Sequence, residues 1–223
     1  MPMWNHAVFV DWHGVMNKEQ FWASLLIDPK HRLHAAAKNA SHFLFHQRPD
    51  LIKTWMKGRI TSDDIISALP INYSDADRRY LTKRLFADCR RMKCDASLLA
   101  ELKRLASYPV LRVLATDNMD CFLGSIEHIE ELENLFDIVL CSSSLGCLKS
   151  EDPQSFFGRW LSHNEIRSDQ SLLLDDSESN CQGFRNIGGT SVHVDSGKSA
   201  ARALRAWRLA ITHPRKKKSR AVK

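Results

Sequence analysis

Short apolar runs recur along the chain, and each is followed directly by polar residues. Runs of this length are typical of strands buried in a parallel sheet. The runs are AVFV (7–10), VLRVLA (110–115), DIVLCS (137–142), SLLLD (171–175) and TSVHV (190–194). Segments with helical spacing alternate with them: residues 95–107, 120–131, 153–163, 177–187 and 197–211. This alternation predicts an α/β fold, a Rossmann-like, doubly wound parallel sheet with helices on both faces.

Between the first two runs, strand signals are absent and apolar residues recur at helical spacing. The helical segments are residues 19–27, 34–47, 49–58, 61–69 and 75–92. Thr61 and Ser74 are suitable N-cap residues for the last two of these segments. We therefore predict that an α-helical cap domain (16–94) is inserted into the α/β core (1–15 and 95–212).

The net charge of +6 is unevenly distributed. The tail (213–223) holds six Lys and Arg and no acidic residue, so we expect it to be disordered. Residues 16–94 hold 15 basic against 8 acidic side chains, whereas the remainder of 1–212 holds 11 against 18. A basic module is thus inserted into an acidic one, and its field would attract an anionic substrate. Nucleic-acid binding through the tail is a less favoured alternative.

Composition disfavours several other classes of protein. No apolar run approaches the ~18 residues of a membrane helix, and the N-terminus lacks the basic flank of a signal peptide. Six cysteines at irregular spacing fit neither a zinc ribbon nor a disulfide framework, so we expect reduced thiols and a cytoplasmic location. The sequence gives no indication of the oligomeric state.

Reactive side chains follow the predicted strands. Asp11 comes directly after the first strand, Thr116 after the second, Lys149 after the third, and Asp175 and Asp176 at the end of the fourth. Ligands of such sheets bind beyond the carboxyl ends of the strands, so we expect these groups to meet at one edge. A nucleophilic carboxylate, a hydroxyl, an ammonium and a pair of carboxylates suit phosphoryl transfer assisted by a divalent cation.

The order of these groups resembles the haloacid dehalogenase (HAD) superfamily, in the branch with a helical cap after the first motif. The resemblance covers nearly all of residues 1–212. The four motifs are similar to VFVDWHGV (8–15), VLRVLATDN (110–118), Lys149 within GCLKSEDPQSFF (146–157), and LLLDDSESN (172–180). The resemblance implies a hydrolase fold with a Mg²⁺ site at these strand ends.

The resemblance also implies a role for each metal ligand. Asp11 would be the nucleophile and a ligand of Mg²⁺, and the backbone carbonyl of His13 would be a second ligand. Asp176 would supply a further carboxylate, with Asp175 beside it contacting the metal or its waters. Hard oxygen ligands of this kind suit Mg²⁺.

The remaining motif residues would bind the substrate. Thr116 and Asn118 would bind the phosphoryl oxygens, and Lys149 would pair with both Asp11 and the phosphoryl group. The resemblance supplies these roles, whereas the positions of Thr116 and Lys149 also follow from the predicted strand ends.

His13 departs from the family pattern, because phosphatases of the superfamily have Asp two residues after the nucleophile. An imidazole can also donate and accept protons near neutral pH, so His13 is a candidate acid/base. Two other interpretations stay open: altered chemistry, and a site that has lost its activity.

We therefore expect a Mg²⁺-dependent phosphohydrolase that acts through an aspartyl-phosphate intermediate on a small, anionic, phosphorylated substrate. The alternative is a HAD-fold binding or regulatory module. A dehalogenase is a third hypothesis, which the pair of Asp175 and Asp176 disfavours because it indicates a metal.

Overall fold

A five-stranded parallel sheet forms the centre of the protein. The computed structural model describes residues 4–70 and 73–213. The strands are β1 (His6–Val10), β2 (Val110–Thr116), β3 (Ile138–Cys141), β4 (Ser171–Asp175) and β5 (Thr190–His193). They lie in the order β3-β2-β1-β4-β5, and every neighbouring pair is parallel. The α/β fold class is confirmed, and each predicted strand is present within two residues of its expected ends.

Both faces of the sheet are buried, and β1 shows this directly. Val8 and Val10 pack into one hydrophobic cluster, whereas Ala7 and Phe9 pack into a second cluster on the opposite face. Successive side chains of a strand point to opposite faces, so an uninterrupted apolar run requires cover on both sides. The helices provide that cover, as a doubly wound sheet demands.

The segment of residues 16–94 is largely helical in its described residues. Its helices are α1 (Ala23–Leu26), α2 (His34–His42), α3 (Pro49–Met56), α4 (Ser62–Ala68) and α5 (Asp75–Cys89). A π-helical turn, Phe43–Gln47, follows α2. The side chains of Thr61 and Ser74 cap α4 and α5 by accepting hydrogen bonds from backbone amides, as predicted. The division into core and cap domains stays a prediction.

The remaining helices alternate with the strands. They are α6 (Ala96–Leu105), α7 (Asp120–Leu123), α8 (Ser142–Leu145), α9 (Arg159–His163), α10 (Glu178–Asn186) and α11 (Gly197–Thr212). A π-helical turn, Gln154–Gly158, leads into α9, and a 3₁₀ turn, Ser168–Gln170, leads into β4.

The prediction of one helix over residues 120–131 is wrong. Helix α7 ends at Leu123, and two 3₁₀ turns follow, Ile126–His128 and Glu130–Leu132. The buried residues Ile126, Ile129 and Leu132 recur every three positions. This spacing matches the three-residue repeat of a 3₁₀ helix better than the repeat of an α-helix.

Hydrogen bonds attach the loop between α3 and α4 to the carboxyl edge of the sheet. The Asp120 carboxylate accepts from the Trp55 indole at 2.6 Å and from the Ser62 hydroxyl and amide at 2.7 and 3.0 Å. The Ser142 hydroxyl donates to the Met56 carbonyl at 2.7 Å. These bonds fix one side of the helical segment next to the ends of β2 and β3.

Two sequence-based expectations concern the periphery of the molecule. No helix in the described part of the chain has both the length and the apolar content needed to cross a bilayer. Residues 214–223, which make up nearly all of the basic tail, lie outside the described residues, so the expectation of disorder stays a prediction.

Replacing Asp120 should test the attachment of the α3–α4 loop. Asp120→Ala leaves the donors of the buried residues Trp55 and Ser62 without their acceptor, so we expect a loss of about 2 kcal/mol in the free energy of unfolding. Asp120→Asn keeps one acceptor oxygen and should lose less. Urea denaturation measures both variants, and an unchanged midpoint for Asp120→Ala would contradict this account of the attachment.

Candidate active site

The strand order brings Asp11 and Asp175 to the middle of the carboxyl edge. Strand β1 lies between β2 and β4, and Val10 is in register with Leu114 on one side and Leu174 on the other. The Asp11 amide continues this pairing by donating to the Leu174 carbonyl at 2.9 Å. Asp175 is the next residue of β4, so the two carboxylates are neighbours across adjacent strands.

Lys149 connects these two carboxylates. Its ammonium lies 2.7 Å from Asp11 Oδ1 and 2.6 Å from Asp175 Oδ2, and it also donates to the Ala115 carbonyl at 3.2 Å. The side chain is only 1% exposed. The Asp117 carboxylate accepts from the Lys149 backbone amide at 3.0 Å, which holds the loop that carries the lysine. A buried ammonium is tolerated because it is paired and hydrogen-bonded.

Asp175 is held by the start of the following helix. Its Oδ1 accepts from the Ser177 amide at 2.9 Å and from the Asn180 side-chain amide at 3.1 Å. Both donors belong to the N-terminal turn of α10, where backbone amides point toward anions. Asp175 is therefore fixed from both sides, by Lys149 and by this turn.

The carboxylates of Asp11, Asp175 and Asp176 form a candidate metal site. Each offers an oxygen, and these oxygens lie within 4.8 Å of one another. Asp11 and Asp175 are buried, whereas Asp176 is exposed. Carboxylate oxygens are the ligands that Mg²⁺ prefers, so the donor set fits the predicted cation.

Gly14 allows the loop after β1 to approach Asp176. Its φ of +84° lies in the left-handed region, and a Cβ at this position would lie 1.8 Å from the Asp176 carboxylate oxygen. Any other residue would displace either the loop or the carboxylate. The glycine of the first motif is thus required by the position of Asp176.

The electrostatics of the cluster are dominated by burial and by an excess of negative charge. Burial raises the pKa of Asp11 to about 8, although Lys149 opposes the rise. Burial disfavours the ammonium of Lys149, but the carboxylates of Asp11, Asp175 and Asp117 outweigh burial and raise the pKa of Lys149. Burial and the charge of Asp175 also raise the pKa of Asp176. A divalent cation would relieve this repulsion.

His13 lies at the exposed side of the cluster. Its side chain is exposed, and its charge acts on the Asp176 carboxylate by lowering the pKa of that group. The His13 backbone carbonyl accepts no hydrogen bond from residues 4–70 or 73–213. The carbonyl is therefore available as the ligand that the motif implies.

Thr116 and Asn118 are placed at the carboxyl end of β2, and no hydrogen bond joins their side chains to the charged cluster within residues 4–70 and 73–213. Both are buried, and the Asn118 amide donates to the Thr116 hydroxyl at 3.5 Å. The Ser142 hydroxyl accepts a hydrogen bond from the backbone amide of Asn118 at 2.9 Å. The structure thus brings Asp11, Lys149, Asp175 and Asp176 together and holds the two predicted phosphoryl ligands beside them.

A cavity of about 270 Å³ opens next to His13. One wall comes from the strand ends and carries Trp12, His13, Asp117, Asn118 and Met119. The opposite wall comes mainly from residues 19–56 and carries Glu19, Gln20, Phe21, Ser41, Phe45, His46 and Met56, with Met92 beside them. The cavity therefore lies between the α/β sheet and the helical segment, directly beside the carboxylate cluster.

Sequence reasoning missed several contributors to this site. Asp117, which lies inside the second motif, holds the Lys149 backbone, and Asn180 holds Asp175. The position of Asn180 at the end of the fourth motif was the available signal. Apart from His13 and Asn118, the cavity residues carried no signal, because they come from separate segments that meet only in the fold.

Stability should depend on pH and Mg²⁺ in a linked way. Because burial raises the pKa of Asp11, the folded protein without metal retains a proton that the unfolded chain releases, and stability should fall as the pH rises from about 4 to about 8. Mg²⁺ binds the deprotonated carboxylate, so it should raise Tm more at about pH 8 than at about pH 6. Thermal unfolding with Mg²⁺ and with EDTA measures both effects.

The matched control for this experiment is Asp176→Asn, which should lose most of the Mg²⁺-dependent rise in Tm. An equal rise at both pH values, or the same rise in the variant, would contradict the site.

Solved structures with a similar fold are HAD proteins. A HAD family enzyme from Bacteroides thetaiotaomicron in complex with magnesium superposes with a TM-score of 0.65 at 17% identity, over 90% of this chain and 98% of that one. A predicted HAD-like family hydrolase from Porphyromonas gingivalis gives 0.64 at 13%, over 91% and 97%. L-2-haloacid dehalogenase from Xanthobacter autotrophicus gives 0.60 at 14%, over 91% and 83%.

Comparison by sequence is less informative. No protein-family model matches the chain, and no curated protein matches it. The similarity to known proteins therefore lies in the fold. The chain has the fold of the haloacid dehalogenase superfamily, as its four motifs predicted.

Proposed function

We propose that the protein is a Mg²⁺-dependent phosphohydrolase that cleaves phosphate monoesters through a covalent intermediate on Asp11. One observation carries this proposal. The Asp11 carboxylate is paired with the buried Lys149 and lies beside two further carboxylates that could hold a cation. A nucleophile, a fixed ammonium and a cation site in contact are what attack on a phosphate dianion requires.

Mg²⁺ would be held by the carboxylates of Asp11, Asp175 and Asp176 and by the His13 carbonyl. When bound, it would offset the repulsion between the Asp11 carboxylate and the anionic phosphoryl group. The Bacteroides enzyme binds magnesium and, in another of its structures, magnesium with inorganic phosphate. That likeness supports the choice of cation and of phosphoryl chemistry for this chain.

In the first step, an oxygen of Asp11 would attack phosphorus, and the bond between phosphorus and the alcohol oxygen would break. Lys149 orients Asp11 through Oδ1 and would neutralise charge on the phosphoryl oxygens. Thr116 and Asn118 would bind two of those oxygens. The protonated His13 would donate its proton to the departing alkoxide, which leaves as the alcohol.

In the second step, neutral His13 would accept a proton from water as the water attacks the phosphorus of the aspartyl phosphate. The bond between phosphorus and the Asp11 oxygen would break, which releases inorganic phosphate and restores the carboxylate. The sum is one ester and one water converted to one alcohol and one phosphate. His13 lies between the carboxylate cluster and the cavity, where the leaving group would be.

A second candidate is a HAD-fold binding or regulatory module without hydrolase activity. The imidazole of His13, in place of the carboxylic acid that phosphatases of the superfamily use, favours this alternative. A dehalogenase is less well supported, because attack on a carbon–halogen bond needs no cation, and the three carboxylates converge as a cation site would require. The six free cysteines are consistent with the proposed cytoplasmic location.

Asp11→Asn should abolish turnover of phosphate monoesters, by at least about 10³-fold, because the amide cannot act as the nucleophile. The fold should be retained, which circular dichroism checks. Asp137→Asn is the matched control, since Asp137 pairs with Arg112 at the start of β3, away from the cluster. Turnover by Asp11→Asn at the wild-type rate would rule out the covalent mechanism.

Replacing His13 should separate the two candidate functions. His13→Ala should lower kcat by about 10²–10⁴, the contribution of one general acid/base. His13→Asp, which restores the residue that phosphatases of the superfamily have, should keep or raise activity. A wild type that is inert on phosphate esters, together with an active His13→Asp variant, would favour the binding module.

A further inference from the structure

We infer that the substrate is a phosphate monoester of a small, predominantly apolar alcohol that carries no second anionic group, and that this organic group occupies the cavity beside His13. The inference rests on the proposed function, since it places the phosphoryl group at Asp11 and the alcohol beyond His13. Its evidence is the shape, the lining and the charge of the cavity.

The position of the cavity assigns it to the leaving group. His13 and Asp117 lie both on its wall and next to the charged cluster, and Asn118 lies on the wall beside Asp117. A phosphoryl group at Asp11 would therefore have its ester oxygen near His13 and its organic group in the cavity.

Six of the thirteen described residues that line the cavity are Trp, Phe or Met, and the polar remainder includes Gln20, Ser41 and His46. The rings of Phe21 and Phe45 stack with centroids 6.4 Å apart and planes 26° apart. The side chains of Met56, Met92 and Met119 complete the apolar surface. Methionine and aromatic side chains contact apolar ligands well.

The charge of the walls disfavours a second anion on the substrate. Among the described residues that line the cavity, none is Lys or Arg, Glu19 and Asp117 are acidic, and the imidazoles are those of His13 and His46. The Lys and Arg residues of 16–94 lie elsewhere. No ammonium or guanidinium of the helical segment therefore pairs with a second carboxylate or phosphate in the cavity, and such a group would lie near the Glu19 carboxylate.

The volume limits the organic group. At about 270 Å³ the cavity lies just below the lower end of the ~300–1,000 Å³ range typical of ligand pockets. A group about the size of one substituted aromatic ring fits this volume. Nucleoside di- and triphosphates, which are larger and carry several negative charges, are disfavoured.

The first experiment compares esters of similar intrinsic reactivity in the presence of Mg²⁺. 2-Phenylethyl phosphate, glucose 6-phosphate and 3-phosphoglycerate all lose an alkyl alcohol, and they differ in apolar area and in charge. We expect kcat/KM for 2-phenylethyl phosphate to exceed the other two values by at least about 10-fold, which is the effect of one well-packed apolar group. Acetyl phosphate serves as a reference, since its small activated group does not need the cavity.

Two variants test the walls directly. Phe45→Ala should lower kcat/KM for 2-phenylethyl phosphate about 10-fold, chiefly through KM. Ile27→Ala is the control, because Ile27 is 80% exposed and outside the cavity.

Glu19→Gln should raise the ratio of kcat/KM for 3-phosphoglycerate over that for 2-phenylethyl phosphate about 10-fold. Glu127→Gln, an exposed glutamate far from the cavity, should leave that ratio unchanged.

A binding measurement separates failure of this inference from failure of the proposed function. 2-Phenylethylphosphonate cannot be hydrolysed, and calorimetric titration should show that Phe45→Ala weakens its binding. Turnover of acetyl phosphate without preference among the three esters would overturn the substrate class and leave the phosphohydrolase intact. If Phe45→Ala weakens phosphonate binding but no ester is hydrolysed, the proposed function would be overturned and the apolar specificity of the cavity would be retained. Absence of both binding and turnover would overturn both.

Discussion

The ion pairs between the buried Lys149 ammonium and the carboxylates of Asp11 and Asp175 determine the rest of the site. Removing these charges from water is costly, and their mutual attraction recovers the cost only if the geometry is fixed. Asp117 holds the lysine backbone, and Asn180 holds Asp175. One ammonium among several carboxylates leaves an excess of negative charge, so the same arrangement that fixes the nucleophile also creates the demand for a cation.

The topology explains why these groups meet where they do. Strand β1 is central, and the chain continues to β2 on one side and from β3 crosses to β4 on the other. The reversal of direction leaves a crevice at the carboxyl end of β1, which is where ligands of open parallel sheets bind. The helical segment of residues 16–94 follows the end of β1 in the chain, next to this crevice. Its side chains form the far wall of the cavity. Reaction centre and substrate-sized space are therefore neighbours because they follow the same strand.

Much of this arrangement could be predicted from the sequence, because it depends on local patterns. The apolar runs place all five strands. Asp11 and Thr116 directly follow two of these runs, and Asp175 is the last residue of a third. The 3₁₀ turns after α7 could not be distinguished from a helix, since a three-residue apolar repeat resembles a helical face over so short a stretch.

Long-range contacts were beyond a single sequence. The family resemblance implies the pairing of Lys149 with Asp11, 138 positions away, but not its pairing with Asp175, and the cavity wall is assembled from several separate segments. Charge counted along the chain did not locate these groups, since no Lys or Arg of 16–94 lines the cavity. Net charge describes a segment, whereas specificity depends on which side chains the fold directs inward.

The central claim is that a phosphoryl group is transferred to Asp11. The most direct measurement is mass spectrometry of the protein quenched with acid during turnover, since acyl phosphates survive in acid, followed by digestion and mapping. The account predicts that the peptide containing Asp11 carries the mass of one phosphoryl group when Mg²⁺ is present and does not when EDTA has removed it. Steady turnover with no phosphoryl group on that peptide, or with the group on another residue, would contradict it.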